Sequence, residues 1–286
     1  MKHQMFSLLL SGLASHAALA AEGITFGPVR AQPGERVRLI SKSESRDGVL
    51  EITKDGKTTR ETMRFFRERE LCWTFRDPAA DGSVRGMVEI TKMDTFTTTV
   101  TGGREQKTED RSPLNGRMFA MTKSPKGEWS FELDGSIPRA RIQQEIDELT
   151  VYLKRRWYPE RAVNVGDSWE FDPSWIRMIL QRDLEKAQLI GTMKLRQIRH
   201  TAKKTVAVID VSVRGSGGAF QADGTEQRAR IELKGQVMVD LKTMLDESLE
   251  LNGVLETQNG RVSESKKANL PIRLVVNKTF VRGAGL

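Results

Sequence analysis

The segment ARIELKGQVMVDL, Ala229 to Leu241, alternates without a break. Its odd positions are Ala229, Ile231, Leu233, Gly235, Val237, Val239 and Leu241; its even positions are Arg230, Glu232, Lys234, Gln236, Met238 and Asp240. Successive side chains of a strand leave the backbone on opposite sides, so this is a strand with one buried face and one wet face. After Lys242-Thr243 the pattern resumes through Leu245, Leu249, Leu251 and Leu255, and Asn259-Gly260 predicts a type I′ hairpin turn into RVSESKKANLPIRLVV. These runs are roughly twice the usual five or six residues. Long strands twist, and a strongly twisted sheet curls.

Working toward the N-terminus, KTVAVIDVSVRG is another strand, with Ala207, Ile209, Val211 and Val213 on one face, and the glycines Gly215 to Gly218 of RGSGGAF read as a loop after it. Before the midpoint, RVRLISKS, VLEITKDGKTTRETMRFF, ELCWTFRD, GMVEITKM, TFTTTVTGG, RMFAMTKS and GEWSFELDG alternate in the same way. Turns are predicted at Asp55-Gly56, Asp81-Gly82, Gly102-Gly103 and Lys126-Gly127. The expected total is a dozen or so antiparallel strands.

Two helices are predicted mid-chain. In SIPRARIQQEIDELTVYLKRRW the residues Ile142, Ile146, Leu149, Leu153 and Trp157 fall on one helical face, with Ser136 and Pro138 at the start and Lys154, Arg155 and Arg156 at the negative C-terminal end. The second starts at Asp172-Pro173 and would bury Ile176, Ile179, Leu180, Leu184 and Ala187. The expected fold is therefore α+β, mainly β: a long curved antiparallel sheet, half-barrel-like, packed on two central amphipathic helices. Residues 21–286 form one β-rich domain, with two sub-sheets at about 35–135 and 189–281 as the alternative, joined by the helical segment 136–188.

The segment between these helices, WYPERAVNVGDSWEFDPSW, holds three of the five tryptophans. Tyr158-Pro159 stops the first helix. AVNVGDSWEF reads as two short strands about a Gly-Asp turn, in which Asp167 binds turn amides. Trp157, Trp169 and Trp175 converge where helices meet sheet, as a hydrophobic joint or as the aromatic mouth of a cavity rimmed by Arg155, Arg156 or Arg161.

YPERAVNVGDSWEF, with the later KGQVMVDLKTMLDESLELNG, resembles exported, largely uncharacterised bacterial proteins carrying a Pro-x-x-x-Val-x-x-Gly-Asp-Ser/Thr-Trp motif and a later Gly-x-x-x-x-Asp turn pattern. More distantly these are similar to the periplasmic lipoprotein-carrier half-barrels, in which a curved sheet wraps around helices and holds acyl chains. The resemblance covers Tyr158 to Phe171 and Gly235 to Gly253 and implies no catalytic residue. Where it calls for glycine after Asp-Leu-Lys-Thr, this chain has Met244.

The first residues, MKHQMFSLLLSGLASHAALAAEG, read as a cleaved export signal, residues 1–20, cut between Ala20 and Ala21. The apolar run is shorter than the roughly 20 residues of a membrane-spanning helix and is broken by Ser7, Ser11, Gly12, Ser15 and His16. The expected location is the periplasm or the exterior. Cys72 is the single cysteine and reads as a small buried hydrophobe. The formal charge is +8, or +7 once Lys2 leaves with the signal, which favours an anionic lipid, a lipoprotein or an envelope polymer as partner. Nucleic acid is not expected, because aromatics do not punctuate the basic residues.

No catalytic residue, cofactor site or metal ligand set is predicted. His200 in RQIRHTAKKT reads as solvated, and G-x-S-x-G and H-E-x-x-H are absent. An outer-membrane barrel is disfavoured by 6% aromatic residues, two tyrosines and a C-terminal VRGAGL. The expected function is non-enzymatic binding of a lipid, lipoprotein or other amphipathic ligand in the concavity of the sheet. The alternatives are a structural or protein-interaction module without a cavity and, further off, a secreted hydrolase.

Overall fold

The computed structural model of the chain describes residues 23–126, 128–133, 140–154, 157–175, 188–220, 225–261 and 264–281. Among these, twelve strands and one helix follow in chain order: β1 (Arg36–Lys54), β2 (Lys57–Phe75), β3 (Val84–Thr101), β4 (Arg104–Arg111), β5 (Arg117–Lys123), β6 (Trp129–Leu133), α1 (Ala140–Lys154), β7 (Ser168–Phe171), β8 (Gln188–His200), β9 (Thr205–Phe220), β10 (Glu226–Asp240), β11 (Leu245–Gly260) and β12 (Glu264–Val281). The strands make one sheet in the order β6-β5-β3-β2-β1-β12-β11-β10-β9-β8-β7, with β4 paired to β3 off this path. The first and last long strands are neighbours, Leu39 opposite Lys278 and Ser43 opposite Leu274. The runs on either side of Pro138 therefore belong to one sheet.

The short alternating runs of the N-terminal half fuse into strands of 18 or 19 residues. In β1 the fusion works through a bulge between Ser45 and Gly48, which inserts residues without breaking the pairing to β2. Asp55-Gly56 turns β1 into β2 with φ of 49° and 74°, and Gly102-Gly103 turns β3 into β4 with φ of 54° and 79°. Both are two-residue turns with two left-handed residues, as the sequence predicts. Asn259-Gly260 is not the turn: it pairs with Lys266 and Ser265, and the reversal falls at Arg261 to Glu264. Nor is Gly215 to Gly218 a loop. It continues β9 against Ser216-facing Gln188 and against β10, and a Cβ on Gly215 would stand 2.4 Å from the Gln188 carbonyl oxygen.

The expectation of a sheet packed on two central helices is corrected. The molecule is nearly all antiparallel sheet, and α1 is the one helix among the described residues. The reason lies in the sheet's own reach. Twelve strands with one apolar face supply most of the core residues themselves, and Leu195, Ile209, Val213, Leu233 and Leu251 are wholly buried there. Helix α1 adds Ile146, buried, and Ile142 and Leu149, packed against the core. Trp157 lies beyond its end. Of the second predicted helix, Asp172 accepts hydrogen bonds from the Ser174 amide and hydroxyl, both at 2.9 Å, closing a single tight turn. Its predicted body, 176–187, lies outside the described residues, as do the export segment, Ser136, Pro138, Arg155 and Arg156.

The opposite face is charged. Arg38 pairs with Glu70 at 2.7 Å, Lys92 and Lys42 with Glu68 at 2.7 and 3.3 Å, Arg273 with Glu250 at 3.0 Å and Lys234 with Glu232 at 2.7 Å. The Lys92 and Lys42 ammonium groups hold the Glu68 carboxyl below its usual range against the opposing effect of burial.

Candidate functional site

Following the register across the inner face shows a change of chemistry. One row runs Leu195, Ile209, Val237, Leu249 and Val276 from β8 to β12, then Ser41, Arg69 and Met93 on β1, β2 and β3. The next runs Met193, Val211, Gly235, Leu251 and Leu274, then Ser43, Arg67 and Thr95. In these two rows the inner surface is apolar across β8 to β12 and carries serine and arginine on β1 and β2, whereas the neighbouring row through Leu39, Leu71 and Ile90 stays apolar. Arg67 donates through Nε to Thr95 Oγ1 at 3.0 Å.

Helix α1 roofs the boundary between these zones and leaves a cavity of about 60 Å³. Its floor is Leu39, Leu71, Ile90, Leu274 and Val276, its polar side Ser41, Ser43, Arg67 and Arg69, and its roof Glu145, Leu149 and Trp175. Glu145 is buried and accepts a hydrogen bond from the Ser112 hydroxyl, which itself accepts from the Leu114 amide at 3.0 Å. The hydroxyls of Ser43 and Ser45, residues 5% and 2% exposed, have no hydrogen-bond partner among the described residues. A buried hydroxyl left so is costly, by about 1–3 kcal/mol.

The predicted tryptophans form a joint. Trp157, Trp169 and Trp175 are 4%, 9% and 3% exposed. Trp169 donates from its indole nitrogen to the Trp157 carbonyl at 2.7 Å, and the Trp157 and Trp175 rings lie 5.6 Å apart. Phe26 stacks on Tyr158 at 4.5 Å and extends the cluster toward Trp169 at 6.3 Å. Of the three, only Trp175 lines the cavity. Arg161 is exposed and pairs with Asp167 at 3.3 Å, away from it. Asp167 also accepts from the Asn164 amide at 2.9 Å. That amide, more than the Arg161 guanidinium, holds its carboxyl below the ordinary aspartate value. Gly166, with φ of 99°, lets its amide reach the Leu195 carbonyl at 2.8 Å. The Gly-Asp-Ser-Trp motif is thus a clamp that fastens this segment to β8.

Sequence reasoning missed Ser41, Ser43, Arg67 and Arg69. The signal was present: on β2 the inward series Met63, Phe65, Leu71, Trp73 is interrupted by two arginines, and on β1 Val37 and Leu39 give way to three serines. Elsewhere, His200 is exposed and 3.2 Å from Thr205 Oγ1, and Cys72 is free and buried. No group of three or more His, Cys, Asp or Glu among the described residues is placed to hold a metal. A larger cleft of about 820 Å³ opens on the charged face over β2, β1 and β12 to β9, beside Arg60, Glu51, Lys267 and Arg230. It is wide open to solvent, and Arg60 is already paired with Glu51 at 3.7 Å.

No family model matches the sequence, and no curated protein does. Weak similarity to solved structures is shown by two examples. One is an outer membrane channel from Pseudomonas putida, with 8% identity over 90% of this chain and 100% of that one and a TM-score of 0.21. The other is a DUF1329 family protein from Desulfovibrio piger, with 11% identity over 86% and 87% of the two chains and a TM-score of 0.14. At such scores neither bears on fold or function.

Proposed function

We propose that this chain is an exported, non-enzymatic envelope protein that binds an amphipathic ligand in the concavity between the sheet and α1. The observation that carries the reading is the unfilled cavity where apolar side chains of β1, β2, β3 and β12 face the helix across a gap. The side chains around it leave this space unfilled. Export rests on the signal-like residues 1–20 and on the resemblance of Tyr158 to Phe171 to exported proteins. No helix among the described residues is long and apolar enough to cross a membrane.

At about 60 Å³ the cavity is smaller than the roughly 300 Å³ of a ligand pocket, so the site is closed in this structure. Admission of a chain requires α1 to shift. Its described anchors are Ile142, Ile146 and Leu149 on its apolar face and the bond from Ser112 to Glu145. The same small volume favours the second reading, a protein-interaction module whose core never opens. Native mass spectrometry with lipid extraction, on protein purified from its own envelope, separates the two. A co-purifying lipid supports binding. A lipid-free protein that also takes up no apolar fluorescent probe overturns it and leaves the module.

A further inference from the structure

We propose that the serine and arginine patch of β1 and β2 is a receptor for the oxyanion head of a single-chain amphiphile, a carboxylate or a phosphate. The proposal rests on the ligand-binding reading above and adds which ligand and which residues. Ser43 stands opposite Arg67, and Ser41 opposite Arg69, on adjacent strands facing the cavity. Two guanidinium groups and two hydroxyls line the one cavity, a donor set suited to an acceptor bearing two or three oxygens. The Ser43 hydroxyl is buried, unpartnered and on the cavity wall. Such a group calls for a partner that enters. A volume of about 60 Å³ has room for a head group or a few waters, and not for an acyl chain.

The rest of the ligand follows from the rows. From Ser43 the inner face continues into Leu274 and Leu251, and from Ser41 into Val276 and Leu249, so a chain anchored by its head at β1 and β2 lies along β12 and β11. Glu145 is the one acid among the described residues lining the cavity and sits on α1, the piece that must move. Its carboxylate has the chemistry of the head group and occupies the same space. Withdrawal of Glu145 with the helix vacates that space for the incoming anion.

The test is displacement of a neutral apolar probe, N-phenyl-1-naphthylamine, from the full mature chain by laurate, lauryl phosphate, dodecanol and inorganic phosphate. Laurate and lauryl phosphate are expected to bind about tenfold or more tightly than dodecanol, as charge-assisted hydrogen bonds imply. Arg67→Gln and Arg69→Gln are each expected to remove that preference, bringing laurate and lauryl phosphate down to the affinity of dodecanol. Ser43→Ala keeps the charge and deletes the orphaned hydroxyl. It is expected to raise the melting temperature of the empty protein while weakening laurate, a combination that a purely structural serine does not produce. Equal binding of laurate and dodecanol, unaltered in the arginine variants, overturns the head-group site and leaves ligand binding standing. Failure of every amphiphile to displace or bind overturns both. Arginine-dependent binding of inorganic phosphate with no amphiphile binding overturns the chain-bearing ligand.

Discussion

Met244 occupies the place where the resemblance calls for glycine, and its backbone φ is 57°. The left-handed conformation costs an L residue about 1–2 kcal/mol, and glycine gives back part of that by its freedom in the unfolded chain. This left-handed turn position suits glycine and holds a methionine, with the Met244 amide bonded to the Asp240 carbonyl at 2.7 Å. Met244→Gly is expected to stabilise the protein by up to about 1 kcal/mol, read as a higher melting temperature; a fall would show that the methionine side chain matters more than its backbone. Asp167 is a second residue whose chemistry is local. Its folded pKa is depressed, so its contribution to stability is present above the unfolded value near 3.8 and is lost as pH falls through the lower folded value. Carbon NMR should place its midpoint below that of an ordinary aspartate, with the Asn164 amide shift moving in step. A midpoint at or above the ordinary value would contradict the clamp.

At the scale of elements, alternation carried most of what could be read. The strand from Ala229 buries Ala229, Ile231, Leu233, Val237 and Val239 and exposes Arg230, Glu232 and Lys234, as its pattern says. The two-residue turns were legible because left-handed pairs select Asp-Gly and Gly-Gly. The first helix was legible from its apolar stripe, which α1 carries at Ile142, Ile146 and Leu149; that the core belongs mainly to the sheet was not, because periodicity reports a stripe without saying what covers what. The β9 glycines were misread because glycine marks a loop and a close strand approach alike. Gly235 and Gly253 show the second use. A Cβ on either would stand 1.8 Å from a carbonyl oxygen across the β10 and β11 pairing, that of Glu250 or Glu232. Gly235→Ala is expected to cost about 3 kcal/mol or more, since the strands must part and nothing flexible can yield. Gly82→Ala meets no atom within 4 Å and pays only for its φ of 81°, so in denaturant titration its loss should be the smaller.

For the molecule as a whole, the two faces state which solvent each meets. A membrane barrel turns its apolar face outward; here the outward face holds ion pairs such as Arg38 with Glu70 and Arg273 with Glu250, and the apolar rows point inward. Each such pair adds little to stability, and together they keep that surface wet. The mature protein is expected to stay in solution without detergent and to leave vesicles intact; recovery only in the detergent-extracted fraction would reverse the assignment of faces. The pairing of β1 with β12 has a consequence for biogenesis. Ser43 meets Leu274, a partner made some 231 residues later, so at ordinary ribosomal speed the opening strand waits roughly ten to fifty seconds for it. Until then one long edge of the nascent hairpin is an adhesive border, and shielding it falls to whatever escorts the growing chain.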